Sequence, residues 1–165
     1  MKAITGVIAI LLAQLGCRSN EPKAVDSARR ENAAPAIKSS SISDSTTSDA
    51  ASVIRRYYGS IDSGDLRSAY LLWARGGQAS GKSFADFSAG FAQTSGVRVT
   101  VRDSIRIEGA AGSQYATMPV SVDATLRSGE AQHFEGTYTV RRSMVDGATA
   151  EQRAWHIESA DLRRR

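Results

Sequence analysis

The sequence is poor in the residues that build disulfides, metal sites and nucleotide loops. Cys17 is the only cysteine in 165 residues, so no internal disulfide is expected. His133 and His156 are the only histidines and do not have the close spacing of metal ligands, so neither a metal nor another cofactor is predicted. Residues 81–83 (Gly-Lys-Ser) lack the glycine spacing of a phosphate-binding loop. The sequence also lacks the Gly-x-Ser-x-Gly nucleophile motif.

Aromatic residues are missing from the first third of the chain. None precedes Tyr57 and none follows Trp155, so a hydrophobic core belongs to the C-terminal two-thirds. The chain has 21 Lys and Arg against 17 Asp and Glu, and the two signs are interleaved. This pattern is typical of a solvated surface, and we expect no nucleic-acid partner.

No apolar run is long enough for a spanning helix, which needs about 20 residues. The N-terminus instead has one basic residue, Lys2, followed by a short apolar segment that ends before Cys17. This arrangement predicts an export signal peptide over residues 1–16. A lone cysteine at the end of such a signal indicates a modification site.

The segment ending at Cys17 resembles the signal of a bacterial lipoprotein. Gly16 and Cys17 match that pattern, whereas Gln14 and Leu15 depart from it. The resemblance implies that Cys17 carries lipid and makes the membrane a partner of the chain. Arg18 follows in place of the Asp that retains such proteins at the inner membrane, which implies the outer membrane, facing the periplasm. The alternative is an ordinary export signal cleaved near Gly16, leaving a free thiol.

Residues 17–49 have the composition of a disordered tether. They contain no aromatic residue and are rich in Ser, Ala, Asp and charged groups. Such a segment does not bury enough apolar area to offset the entropy lost on ordering. We therefore predict a signal peptide (1–16), a tether (17–49) and one folded domain (50–165).

The domain begins with helical patterns. Apolar residues from Ala50 to Ile61 recur at the spacing of one helical face, and Ser63-Gly64 provides a stop. Asp65 caps a second helix that reaches Trp73, and these two helices form a hairpin. Ser83 and Asp86 form a capping pair that opens a third helix.

The period then changes to two, which is typical of strands. Four long strands are predicted, over residues 97–107, 114–126, 132–142 and 154–162. Short polar turns between them favour an antiparallel meander. The fold class is therefore α+β, with the N-terminal helices packed on a curved, cone-like, four-stranded antiparallel sheet.

Residues 50–162 resemble the nuclear transport factor two-like superfamily, also described as SnoaL-like or the cystatin-like cone. The resemblance rests on the spacing from Tyr57-Tyr58 through Gly64-Asp65 to Ala69-Tyr70, on the four long strands, and on the closing Trp155-x-Ile157. It implies a fold and leaves function open, because that fold carries enzymes, binding modules and scaffolds.

Candidates for chemistry are few. Asp103 lies in phase with the apolar face of the first predicted strand, where a pocket would raise its pKa into the range of a general base, with Tyr57, Tyr58 or Tyr70 as a hydrogen-bonding partner. The alternative is a bulge that turns Asp103 to solvent. An aromatic stripe is predicted either to line a ligand pocket or to form core: Tyr57, Tyr58, Tyr70, Trp73, Phe87 and Phe91.

Three hypotheses follow. The first is a lipid-anchored envelope protein whose domain binds a small apolar ligand or another protein without catalysis. The second is a small isomerase or dehydratase that uses Asp103 with a helix tyrosine. The third is a scaffold that forms a homodimer through the exposed face of its sheet.

Overall fold

The computed structural model describes the backbone of residues 38–165 and the side chains of residues 44–165. The predicted signal peptide, the lipidation site Cys17 and the predicted tether up to residue 37 lie outside the described residues. Within the described part of the chain, no helix is long and apolar enough to cross a membrane.

Helix α1 (Lys38–Asp62) buries one face, as its spacing predicts. Ala50, Val53 and Ile54 are almost fully buried, and Tyr57 and Tyr58 follow on the next turn. The structure describes α1 from Lys38, so residues 38–49 are helical, whereas the sequence patterns predicted a helix only from Ala50 and a disordered tether before it. The reason is that extending a packed helix adds one hydrogen bond per residue without a new nucleation cost.

Two short helices follow α1. Gly64 takes a left-handed conformation at the end of α1, and Asp65 caps α2 (Leu66–Leu71) by accepting a 3.0 Å hydrogen bond from the Ser68 amide. Ser83 caps α3 (Phe84–Gly90) in the same way. The predicted helix stop at Gly64 and the predicted caps at Asp65 and Ser83 are confirmed. Helix α2 ends before Trp73, because the backbone there hydrogen-bonds to Ile157 in the sheet instead.

Within residues 38–165 the sheet has five antiparallel strands rather than the predicted four. They are β1 (Thr94–Val101), β2 (Arg106–Ala110), β3 (Ser113–Leu126), β4 (Ala131–Ser143) and β5 (His156–Arg164), in the order β1-β3-β4-β5 with β2 also paired to β3. A short helix, α4 (Ala150–Arg153), which the sequence patterns did not predict, precedes β5. The α+β fold class is confirmed.

The extra strand arises because the first predicted strand breaks opposite Pro119. The carbonyl of Pro119 accepts a 3.0 Å hydrogen bond from the Arg102 amide. In an antiparallel strand the nitrogen and carbonyl of one residue point to the same neighbour, so the nitrogen of Pro119 also faces β1 and β2. Because that nitrogen carries no hydrogen, it gives β1 and β2 no donor there. The chain bends at residues 102–105, and β1 and β2 pair with different halves of β3.

One face of the sheet is covered by the helices and the other is open. Ala116, Met118, Val120 and Val140 point into the covered face and are almost fully buried. The open face carries polar residues, among them the Thr117–Thr139 hydroxyl pair at 3.2 Å. The predicted homodimer would form through this open face.

Candidate functional site

A cavity of about 290 Å³ lies between the sheet, α1 and the end of α3. We call it the sheet cavity. Asp62, the last residue of α1, accepts a 2.8 Å hydrogen bond from the Val97 amide and so ties the helix end to β1 beside the cavity. The lining residues are Tyr57, Tyr58, Gly90, Phe91, Thr94, Val97, Val122, Ala124, Gln132, Phe134, Tyr138 and Leu162. Its walls are therefore mostly apolar, with tyrosines as the main polar groups.

The hydroxyls of Tyr58 and Tyr138 form a 2.8 Å hydrogen bond. Both rings are buried, and the ring of Tyr138 meets Tyr58 edge to face. Only one hydroxyl of such a pair donates to the other, so the second hydroxyl keeps its proton for another acceptor. The pair therefore offers a hydrogen bond to a molecule in the sheet cavity.

Burial keeps these phenols neutral. It raises the pKa of Tyr58 to about 12, although the hydrogen bond with Tyr138 acts in the opposite direction. Burial also raises the pKa of Tyr138 and of Tyr57 well above the usual value for tyrosine, and the proximity of Tyr58 adds to both shifts. At neutral pH the three hydroxyls are therefore hydrogen-bonding groups and not bases.

A second cavity of about 270 Å³, the helix cavity, shares Tyr57, Gly90 and Phe91 with the first. Trp73, Phe87 and Lys82 also line it. The indole Nε1 of Trp73 is buried and has no hydrogen-bond partner of good geometry among the described residues. Its proximity lowers the pKa of Tyr57, against the larger effect of burial.

The predicted pocket residues divide between the two cavities, with one exception. Tyr57, Tyr58 and Phe91 line the sheet cavity, while Trp73 and Phe87 line the helix cavity together with Tyr57 and Phe91. Tyr70 lines neither. Its hydroxyl donates a 2.9 Å hydrogen bond to the Lys82 carbonyl, and its ring lies so close to Gly77 that a Cβ there would overlap it. Tyr70 is thus a packing residue.

Asp103 does not lie in either cavity. It is exposed on the bend between β1 and β2, where its carbonyl accepts a 2.9 Å hydrogen bond from the Ile105 amide. Of the two alternatives for Asp103, the structure shows the solvent-facing bend and not the pocket, because the predicted strand breaks opposite Pro119.

The strand residues of the sheet cavity were not identified as site residues from the sequence. Phe134 and Tyr138 come from β4 and Leu162 comes from β5. Alternation along residues 132–142 puts Phe134, Tyr138 and Val140 on one face of the strand, and this signal would have identified them once the helices were assigned to the same face.

The ionisable residues lie elsewhere. The lining of the sheet cavity, within the described residues, includes no carboxylate, histidine, lysine or cysteine. His133 is on the open face, with Nδ1 at 2.6 Å from an Asp123 oxygen, and His156 lies near α4, with Nε2 at 3.3 Å from a Glu151 oxygen. Between residues 44 and 165 no three His, Cys, Asp or Glu side chains are grouped so as to hold a metal ion.

No protein-family model matches the chain, and no curated protein matches it in sequence. Solved structures do match in fold. A nuclear transport factor 2 (NTF2-like) superfamily protein from Salmonella enterica serovar Typhimurium is 14% identical over 73% of this chain and 92% of its own, with a TM-score of 0.50.

Two further structures that match in fold are proposed dehydratases. A proposed scytalone dehydratase from Novosphingobium aromaticivorans is 11% identical over 76% of this chain and 88% of its own, with a TM-score of 0.52. A proposed dehydratase of the NTF2-like family from Streptomyces avermitilis is 13% identical over 72% of this chain and 95% of its own, with a TM-score of 0.50. At these identities the likeness concerns the fold alone, and the described domain has the α+β fold of NTF2-like proteins.

Proposed function

We propose that this chain is a lipid-anchored protein of the bacterial cell envelope whose folded domain binds a small apolar ligand in the sheet cavity. The observation that carries the binding role is the Tyr58–Tyr138 hydroxyl pair on an otherwise apolar wall. Ligand sites in proteins commonly combine apolar walls with a few polar groups that fix orientation. The sheet cavity has that composition.

The cavity limits the size and chemistry of the ligand. A volume of about 290 Å³ suits a compact molecule, since ligand pockets are commonly about 300 to 1,000 Å³. Rings and aliphatic side chains surround most of it, so most of the ligand is apolar. One oxygen or nitrogen atom of the ligand is expected to hydrogen-bond to the tyrosine pair.

Binding is favoured over catalysis because the cavity offers no group that titrates near neutral pH. A general base works best when its pKa is close to the working pH. Tyr58, with a pKa of about 12, would be ionised in on the order of one molecule in 10⁵ at pH 7. The tyrosine pair is therefore suited to orienting a ligand.

A fluorescence titration of the full chain with 1-aminoanthracene tests the binding proposal. Ala124 and Thr125 are adjacent on β3, but Ala124 lines the sheet cavity and Thr125 is exposed. We expect Ala124→Leu to fill the cavity and weaken binding at least about tenfold, with Thr125→Leu unchanged. Equal affinities for the two variants would contradict the proposal.

The anchor rests on the sequence around Cys17. A short apolar segment ending in Gly16-Cys17, with no other cysteine in the chain, supports lipid attachment. Acyl chains contribute about 0.8 kcal/mol per buried methylene, so two or more hold a protein durably at a membrane. Facing the periplasm from the outer membrane, the domain would meet ligands that cross the envelope.

Mass spectrometry of the mature N-terminus tests the anchor. We expect Cys17 to be the first residue and to carry lipid, and Cys17→Ser to release the protein from the membrane fraction. An unmodified residue at or after position 17 in the native protein would contradict the anchor and leave the binding proposal standing.

A dehydratase activity is the second candidate function. It draws on the Tyr58–Tyr138 hydroxyls, which can hydrogen-bond a departing hydroxyl, and on the fold shared with the proposed scytalone dehydratase. Incubation of the full chain with scytalone, followed by absorbance of the dehydrated product, tests it. Turnover that Tyr138→Phe removes would support the activity, and no turnover would contradict it for this substrate.

A further inference from the structure

The helix cavity adjoins the sheet cavity along Tyr57, Gly90 and Phe91, which line both. The space beside Gly90 is open, because a Cβ built on this glycine meets no atom within 4 Å. The binding role proposed for the sheet cavity uses the Tyr58–Tyr138 hydroxyl pair as its polar group. The helix cavity has polar groups of its own that this role does not use.

The indole N–H of Trp73 is a buried donor without an acceptor. The residue is 8% exposed, and its Nε1 has no hydrogen-bond partner of good geometry among residues 44–165. An unpaired buried N–H is costly, and folded proteins contain few of them. Because Trp73 lines the helix cavity, a ligand there can supply the missing acceptor.

The hydroxyl of Tyr57 lies beside this indole. The two rings meet edge to face, with their centroids 6.0 Å apart. Burial raises the pKa of the Tyr57 phenol and the indole N–H lowers it in part, so the N–H is close to the phenol oxygen. Unlike Tyr58 and Tyr70, Tyr57 has no hydrogen bond of good geometry for its hydroxyl among the described residues. Both donors are therefore left to bind an oxygen atom of a ligand.

The acceptor that suits these two donors carries no charge. The desolvation that raises the pKa of Tyr57 also disfavours an anion placed beside it. Lys82 is the one charged residue in the lining of the helix cavity, within the described residues, and it is exposed to solvent. A carbonyl oxygen accepts two hydrogen bonds and brings no charge to desolvate.

We propose that the two cavities form one site for an elongated apolar molecule with an uncharged acceptor oxygen near each end. The Tyr58–Tyr138 pair binds one oxygen in the sheet cavity. The Tyr57 hydroxyl and the Trp73 indole bind the other in the helix cavity, whose volume of about 270 Å³ holds that end of the molecule. The ring centroids of Tyr57 and Trp73 lie 6.2 and 6.3 Å from that of Tyr138, so a short carbon chain spans the two positions. This inference rests on the binding role proposed for the sheet cavity and adds the chemistry of the ligand to it.

Displacement of 1-aminoanthracene from the full chain by ketones tests the proposal. The probes are 2,5-hexanedione, 2,7-octanedione and 2,9-decanedione, each compared with the 2-ketone of the same chain length. A second carbonyl that binds the Tyr57 and Trp73 donors should tighten binding about threefold to tenfold for at least one of these spacings. Without those donors it should weaken binding, because a buried carbonyl loses its hydrogen bonds to water.

Two variants and a matched control locate the effect. Trp73→Phe and Tyr57→Phe each keep a ring and remove one donor, so each should abolish the gain from the second carbonyl. Trp155→Phe is the control, because the Nε1 of Trp155 is also buried and unpartnered among the described residues but Trp155 lines neither cavity. The measured quantity is the ratio of diketone to mono-ketone affinity, in which a loss of stability that affects both probes alike cancels.

NMR of the ¹⁵N-labelled full chain gives a second readout, since its two tryptophans give two indole N–H signals. The diketone that binds most tightly should shift the Trp73 signal downfield and leave the Trp155 signal in place. Mono-ketone binding with no gain from a second carbonyl, or a gain that Trp73→Phe preserves, would overturn the proposal and leave the role of the sheet cavity standing. Displacement by no ketone would overturn it too, while the Ala124→Leu titration tests the sheet cavity by itself.

Discussion

The sheet cavity and the end of β4 differ in how their polar groups are held. In the cavity, the Tyr58 and Tyr138 hydroxyls hydrogen-bond to each other inside the core. At the end of β4, Arg141 and Arg142 each hydrogen-bond to a separate side chain on β3 and are partly exposed. The buried polar groups are thus a neutral hydroxyl pair, whereas the charged side chains lie at the partly solvated end of the strand.

Trp73 should give the largest effect on stability, because it belongs to the core on which the cavities depend. Its ring packs against Tyr57 and Tyr138 and is 8% exposed. Trp73→Ala should lower the free energy of unfolding by about 3 to 5 kcal/mol in urea denaturation. The control is Leu71→Ala, since Leu71 is 47% exposed and should cost below about 1 kcal/mol. A small effect for Trp73→Ala would mean that Trp73 lines an open surface.

High pH should destabilise the protein through the buried tyrosines of the sheet cavity. A folded pKa of about 12 for Tyr58, above the ordinary value of 10.0, means that unfolding releases a proton between those values. The stabilisation is fully present below pH 10 and is lost at about 1.4 kcal/mol per pH unit up to about pH 12. Urea denaturation between pH 8 and 11 measures this loss, and Tyr58→Phe should reduce its slope. An unchanged slope would contradict the burial of the phenol.

Breaking the tyrosine pair should have an intermediate effect. Tyr138→Phe leaves the Tyr58 hydroxyl buried without its partner and should lower the free energy of unfolding by about 1 to 3 kcal/mol. The double variant Tyr58→Phe with Tyr138→Phe should cost less than the sum of the single changes. Tyr115→Phe, on the open face, serves as the control. Additive costs would show that the two hydroxyls do not interact.

The smallest effect on stability is expected at Arg75. Arg75→Gly removes an ion pair in which the Arg75 side chain is 58% exposed and that of Glu158 is 25% exposed. It also relieves a left-handed backbone, while the added glycine increases the entropy of the unfolded chain. These contributions nearly cancel, so the free energy of unfolding, measured by urea denaturation, should change by less than about 1 kcal/mol. A loss above about 2 kcal/mol would make Arg75 a structural residue.

Much of the fold could be predicted because its signals are local. The buried stripe of α1, the Asp65 and Ser83 caps and the alternation of the strands all arise within a few residues of sequence. The extent of α1 before Ala50 was missed, because residues 38–49 have weak helix propensity and are helical as a continuation of a packed segment.

The break between β1 and β2 shows a different limit. Its cause, Pro119, lies in the neighbouring strand and acts across the sheet, so the pattern of residues 97–107 alone did not reveal it. The sequence does contain a signal for this break, because a proline in the middle of a predicted strand interrupts its hydrogen bonds to a neighbouring strand. Asp103 lies in this break, at the position where a solvent-facing bulge was one of the two alternatives.

The sheet cavity was harder to predict than the fold because it joins distant segments. It brings Tyr58 of α1 together with Tyr138 of β4. No motif marks this pair, and its proximity follows only from strand order and helix placement. The helical tyrosines were found because they lie on the same stripe that defines α1.

Native mass spectrometry of the full chain, isolated from its own host, is the measurement that tests the binding role most directly. We expect a retained small molecule in the wild-type chain and in Thr125→Leu, and its loss in Ala124→Leu. The reason is that Ala124 lines the sheet cavity and Thr125 does not. Retention of the same molecule by Ala124→Leu would contradict the account, as would an empty wild-type chain that also fails to bind 1-aminoanthracene.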